Sequence, residues 1–160
     1  MLKKILLGFV IIASFAGCVK GDSSNNTTCN YDPCKYKAPA SEIQAVQDYL
    51  TANNITATQH CSGIFYIIDD AGTGKTPIAC SGVNVTYSGK LIDGSTFDEG
   101  TTDLSLTQVI PGWTNGIPLI KAGGKIHLYI PPSLGYGNRD YGPIPANSIL
   151  IFEVTLNAVY

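Results

Sequence analysis

The apolar positions of this chain change period once. Ile43, Val46, Tyr49 and Leu50 recur three and four residues apart, which places them on one helix face. Ser41-Glu42-Ile43-Gln44 has the form of a capping box, and Asn53-Asn54 stops the run. The pattern predicts a docked helix over 41–54. From Gly63 onward the period is two. Ile64 to Ile68 form a run rich in branched and aromatic residues, ended by Asp70-Ala71-Gly72-Thr73-Gly74. Val83, Val85 and Tyr87 share one face of the next strand, with Asn84, Thr86 and Ser88 on the other. Leu91-Ile92-Asp93-Gly94 is a turn, and Ser95 to Asp98 runs back. Leu104 and Leu106 alternate with polar residues. Ile126, Leu128 and Ile130 alternate with Lys125, His127 and Tyr129, and Leu150 to Ala158 alternate to the carboxyl end. Between these runs, Gln108-Val109-Ile110-Pro111-Gly112-Trp113 reads as a strand that stops at a proline-glycine turn and feeds a short helix. It holds the only tryptophan, a flat ring suited to a pocket floor. The fold expected is α+β: a five-stranded antiparallel sheet wrapped on a short helix, with an added N-terminal helix and a pocket between sheet and short helix.

Composition narrows the partners. With 160 residues the chain has room for one domain, and a net charge of -2 with 14% charged residues leaves no basic stripe for nucleic acid. Partners are therefore expected through apolar contact, and the chain is expected to be a monomer. Lys3-Lys4 followed by the apolar run Ile5 to Ile12 has the shape of an export signal over 1–17, too short to span a bilayer. Ser14-Phe15-Ala16-Gly17-Cys18 resembles a bacterial lipobox, with Phe15 where Leu is usual, which makes Cys18 the expected site of lipid attachment. The place expected is the cell envelope, lipid-anchored, at the periplasmic or surface face of the outer membrane. Residues 18–40 are rich in Lys, Gly, Asp, Ser, Asn, Thr and Pro, a composition read as a flexible tether. Four cysteines remain after Cys18: Cys29, Cys34, Cys61 and Cys80. In an exported chain they suggest two disulfides, with three pairings open. A metal site is disfavoured, since there is no C-x-x-C pair and neither His60 nor His127 has ligand spacing. No metal and no cofactor are expected.

Periodicity stops at a small domain with apolar faces. Four segments in order carry the reading further: Thr86-Tyr87-Ser88-Gly89-Lys90-Leu91 with Asp93-Gly94 and Phe97-Asp98; Val109 to Trp113; Ile130 to Gly137; and Ile144-Pro145 with Leu150-Ile151-Phe152. Together they resemble the FKBP-type peptidyl-prolyl cis/trans isomerases, with residues 62–160 as the isomerase domain. The resemblance implies Trp113 as the floor beneath a substrate proline ring. Phe97, Leu104, Val109, Ile110, Ile144 and Phe152 would complete the binding surface. The Ile110 N–H and the Tyr136 hydroxyl would hold substrate carbonyls, while Asp98 orients Tyr87 or the substrate. The catalytic set implied is Asp98, Tyr87 and Tyr136, and the partners are proline-containing segments of unfolded exported proteins.

The chemistry suits those residue types. Rotation about an X-Pro bond must cross a barrier of roughly 18–20 kcal/mol, because it breaks amide resonance. The twisted amide carries less charge separation than the planar one, so a dry apolar site favours it and no nucleophile is required. Each residue also has an ordinary reading: Tyr87, Phe97 and Phe152 as core, Asp98 as a turn residue after a strand. A hydrolase reading fails for want of a G-x-S-x-G elbow. The alternative of another class is a peptide-binding module or holdase that uses the same pocket with negligible turnover. Thr101-Thr102-Asp103-Leu104 stands where many of these isomerases carry an aromatic, which thins one wall and puts macrolide affinity in doubt.

Overall fold

The computed structural model describes residues 29–160. Helix α1 (Ala40–Ala52) precedes strands β1 (Thr58–Gln59), β2 (Phe65–Asp70), β3 (Gly82–Lys90) and β4 (Thr96–Ser105). Helix α2 (Pro111–Gly116), β5 (Lys125–Ile130) and β6 (Leu150–Val159) follow. The strands form one antiparallel sheet in the order β1-β2-β5-β6-β3-β4. The sheet thus has six strands rather than five, because the two-residue β1 pairs with the start of β2. The returning segment after the Leu91–Gly94 turn and the Leu104 segment are one strand, β4, paired with β3 from Gly82 to Lys90.

Alternation places the core as its pattern demands. Val83 and Val85 of β3, Ile126, Leu128 and Ile130 of β5, and Leu150, Val154 and Leu156 of β6 bury one face of the sheet against α2 and its following turn. Helix α2 begins at Pro111, so Gly112 and Trp113 lie inside it rather than in a turn before it. Pro at the first helical position fits, since its missing N–H would have no partner there. Gly112 and Gly116 lie one turn apart. A Cβ on Gly112 would sit 2.6 Å from Ile130 Cδ1, and one on Gly116 2.5 Å from Leu128 Cδ2. The two glycines let α2 press onto β5.

The opposite face is covered at one end. Val46 and Leu50 of α1 bury against Phe65 and Tyr129, so Tyr129, on the polar side of the β5 alternation, is buried under the helix. The helix docks on its own domain, as its single stripe predicts. Its start differs from the expected one. Pro39 is the N-cap and its carbonyl accepts the Glu42 and Ile43 N–H groups, so the Ser41-Gln44 capping box does not form. Extended backbone at Pro39 (ψ 145°) hands over to helix one residue earlier than Ser41.

The segment before α1 is not a tether as far as residue 40. Disulfides Cys29–Cys80 and Cys34–Cys61, with Cα separations of 5.8 and 5.4 Å, fasten it to the domain. The Ala38 N–H donates to the Ser62 carbonyl at 2.9 Å, and Ala38 is buried. Covalent closure supplies what its polar composition lacks. We refer to residues 29–39 as the arm. The export signal, Cys18 and the rest of the expected tether lie outside the described residues.

Candidate functional site

Tyr87 stands opposite Gly100 in the β3–β4 register, and Gly89 stands opposite Asp98. Tyr87 and Asp98 are therefore diagonal neighbours on one face, within reach of long side chains. The Tyr87 hydroxyl donates to Asp98 Oδ2 at 2.8 Å. Beyond Asp98 the register slips, with Lys90 opposite Thr96, leaving Phe97 as an extra residue on β4. Strict alternation would send Phe97 and Asp98 to opposite faces. The bulge turns Phe97 inward too, onto Phe152 at 5.4 Å between ring centroids and nearly perpendicular. Gly89 makes room for this, because a Cβ there would lie 2.7 Å from both Phe97 and Phe152.

Trp113 projects from α2 into the same cluster. Its ring meets Tyr87 edge-on at 5.2 Å and Phe152 at 5.1 Å, arrangements favoured by the aromatic quadrupole. Trp113 is only 5% exposed, yet it lies at the base of a cleft of about 280 Å³. Among the described residues its indole Nε1 is the one buried side-chain nitrogen or oxygen without a partner. Nor does the Ile110 N–H donate to any group among the described residues. Two unpaired donors thus lie at one cleft.

Of the residues singled out in the sequence, the cleft brings together Tyr87, Asp98, Leu104, Val109, Ile110, Trp113, Tyr136 and Phe152. Phe97 and Ile144 are not among its lining residues: half-buried Phe97 packs edge-on against Phe152, and Ile144 is buried. The cleft adds Thr102, Gln108 and Tyr141. Thr102 falls on the thin wall that the sequence already marks. Tyr141 is a different case, since it lies in a polar loop without periodicity. Its ring stacks on Tyr136 at 4.5 Å and 12° while staying 61% exposed, so it extends the aromatic wall outward. The loop is stiffened by paired Tyr141 and Ile144 backbones, by Asp140 Oδ1 accepting the Ala146 N–H at 2.8 Å, and by the Asn147 N–H donating to Gly137.

Electrostatics keep the hydroxyls neutral. Burial first, then the hydrogen bond and charge of Asp98, then Tyr136, push the Tyr87 pKa up to about 12. Burial, with Tyr141 and Asp98 after it, raises that of Tyr136. The cleft is an apolar trough with one carboxylate at its lip and two phenols that remain donors.

Comparison with known proteins agrees with this geometry. Residues 74–157 match the model of the FKBP-type peptidyl-prolyl cis-trans isomerase family. The chain is 39% identical over 122 residues to the FKBP-type isomerase FkpA of Aeromonas hydrophila, covering 71% of this chain and 45% of that protein. It is 46% identical over 100 residues to FkpA of Escherichia coli K12, covering 59% and 37%. The chain thus spans less than half the length of these curated relatives. Among solved structures, the FkpA crystal structure from Escherichia coli superposes with a TM-score of 0.68 at 38% identity, over 75% of this chain and 60% of that one. A peptidyl-prolyl isomerase from Pseudomonas syringae gives 0.66 at 31% identity, over 77% and 97%. By sequence, by fold and by the residues gathered at the cleft, the chain belongs to the FKBP-type peptidyl-prolyl cis-trans isomerases.

Proposed function

We propose that this chain accelerates cis/trans isomerisation of X-Pro bonds in unfolded exported proteins, from a lipid anchor at Cys18 in the cell envelope. The observation that carries the reading is the Tyr87–Asp98 hydrogen bond set above the edge-packed Trp113 and Phe152 rings. A prolyl ring rests against Trp113, and the Ile110 N–H and the Tyr136 hydroxyl hold carbonyls on either side of the twisting bond. The bound proline displaces water from the cleft, so the planar amide loses the solvation that favours it in bulk water. Asp98 fixes the Tyr87 hydroxyl and sets a local field beside the rotating carbonyl. It acts by orientation, since amide rotation transfers no proton. The disulfides agree with an oxidising compartment.

In a protease-coupled assay on an X-Pro peptide, Asp98→Val is expected to lower kcat/KM about tenfold to a hundredfold. That is the range for losing one charge-assisted hydrogen bond of about 1.5–3 kcal/mol. Tyr87→Phe is expected to fall less, since Asp98 remains. A wild-type rate equal to the buffer blank would leave only the holdase.

The Tyr87 hydroxyl carries a pH prediction as well. A tyrosine ordinarily titrates near pH 10, and here the value is about 12. Because the folded state holds this proton more tightly, its contribution to stability is complete below about pH 10 and is lost as pH rises towards 12. The kcat/KM profile is therefore expected to stay flat from neutral pH to about pH 10. An alkaline limb centred near that value that vanishes in Tyr87→Phe would refute the assignment. The anchor is checked separately: Cys18→Ser is expected to move the protein from the membrane pellet to the soluble fraction.

A further inference from the structure

We propose that a second groove, floored by Asn115 and walled by the disulfide-held arm, binds the apolar chain segment flanking the substrate proline. This rests on the isomerase reading of the cleft. A hollow of about 480 Å³ lies between Tyr31, Tyr36, Leu106, Val109, Pro111 and Leu134. Val109 lines both this hollow and the cleft, so the two adjoin at its side chain. Tyr31, Ala79, Thr114 and Asn115 carry the surface on into a further hollow of about 310 Å³ beside Ile78 and Pro118.

Asn115 gives the groove its chemistry. The residue is 4% exposed, and its Oδ1 accepts the Tyr31 hydroxyl at 2.7 Å. Its Nδ2 donates to nothing among the described residues, and the side chain lines both hollows. The neighbouring Thr114 hydroxyl is satisfied by the Leu106 carbonyl at 2.8 Å. The amide faces the hollows with donor capacity to spare, and the backbone carbonyl of an extended peptide laid along the groove can accept from it. Tyr36 at 69% exposure and Ile78 at 57% are the apolar rims, the kind of exposed surface that marks a contact site. No Asp, Glu, Lys or Arg lines either hollow. The occupant that fits is an uncharged, apolar stretch of unfolded client. Residues 19–28 of this chain, Val-Lys-Gly-Asp-Ser-Ser-Asn-Asn-Thr-Thr, offer almost nothing to such walls.

The test uses the full chain and three peptides with one X-Pro core: a short one, and two lengthened with apolar residues before or after the proline. One lengthened peptide is expected to show a KM lower by about tenfold, equivalent to about 1.4 kcal/mol. The Tyr36→Ser/Ile78→Ser double variant is expected to lose that gain while turning over the short peptide at the wild-type rate. Equal KM for all three peptides, or a gain that survives in the double variant, would overturn the groove and leave the isomerase standing. No acceleration of any peptide would remove the isomerase reading, and the groove's role with it.

Discussion

Trp113→Ala is expected to lower folding stability by about 3–5 kcal/mol and to abolish most of the isomerase rate. Truncating a buried aromatic typically costs about 3–5 kcal/mol, through lost transfer energy and the cavity left behind. Here two edge contacts go as well, to Tyr87 and Phe152, each worth about 0.5–1.5 kcal/mol beyond burial. One effect opposes them. The indole Nε1 is an unpaired buried donor, and removing it relieves part of a penalty of about 1–3 kcal/mol. The added and relieved terms roughly cancel, which leaves the loss inside the usual range of about 3–5 kcal/mol. A domain of ordinary stability, about 5–15 kcal/mol, survives that loss, so turnover can be measured on folded protein. Denaturant unfolding at constant m-value and kcat/KM on the same sample check the two halves. A shift in stability below about 1 kcal/mol would mean the ring is not core. An unchanged rate in folded variant would mean it is not the floor of the site.

This double role explains what could be read in the sequence and what could not. Val83, Val85, Ile126, Leu128, Leu150 and Leu156 are buried where alternation puts them, since period two is a property of the strand itself. The pair Tyr87 and Asp98 was legible through four ordered segments, although neither residue stands out alone. Phe97 shows the limit. Counting along β4 sends it away from Asp98, and only the register slip opposite Gly89 and Lys90 turns it inward. A bulge is a relation between two strands, and one strand's pattern does not encode it. Ile144 is core for a similar reason, its loop being folded back by paired backbone at Tyr141. Tyr141 and Asn115 lacked any periodic signal. Their positions follow from the loop that stacks one on Tyr136 and from the arm that brings Tyr31 to the other. The arm itself misled because composition reports whether a segment can order alone. It does not report which cysteines will hold it down.

Removing both disulfides, by reduction or by Cys→Ser at all four positions, is expected to cost about 5 kcal/mol of stability while leaving short-peptide turnover of the folded protein nearly unchanged. Chain entropy assigns roughly 3.5 kcal/mol to the Cys34–Cys61 crosslink, with a separation of 27, and roughly 4 kcal/mol to Cys29–Cys80, with 51. The simple sum overstates the effect for two reasons. The smaller loop is nested in the larger, so closing one already restricts the other. Once uncrosslinked, the arm also peels without unfolding the sheet, because few contacts besides Tyr31–Asn115 and Ala38–Ser62 hold it. Helix α1 is expected to stay in place, since Val46 and Leu50 remain buried against Phe65 and Tyr129. No cysteine lines the cleft, which leaves Tyr87, Asp98 and Trp113 where they are. The midpoint of denaturant unfolding and the far-ultraviolet helix signal, with and without reductant, decide the first point. A loss near the full additive sum would show the arm to be an integral part of the folded core. A collapse of turnover in protein still folded would mean that the crosslinks position the cleft, by way of the Tyr31–Asn115 bond to the helix that carries Trp113.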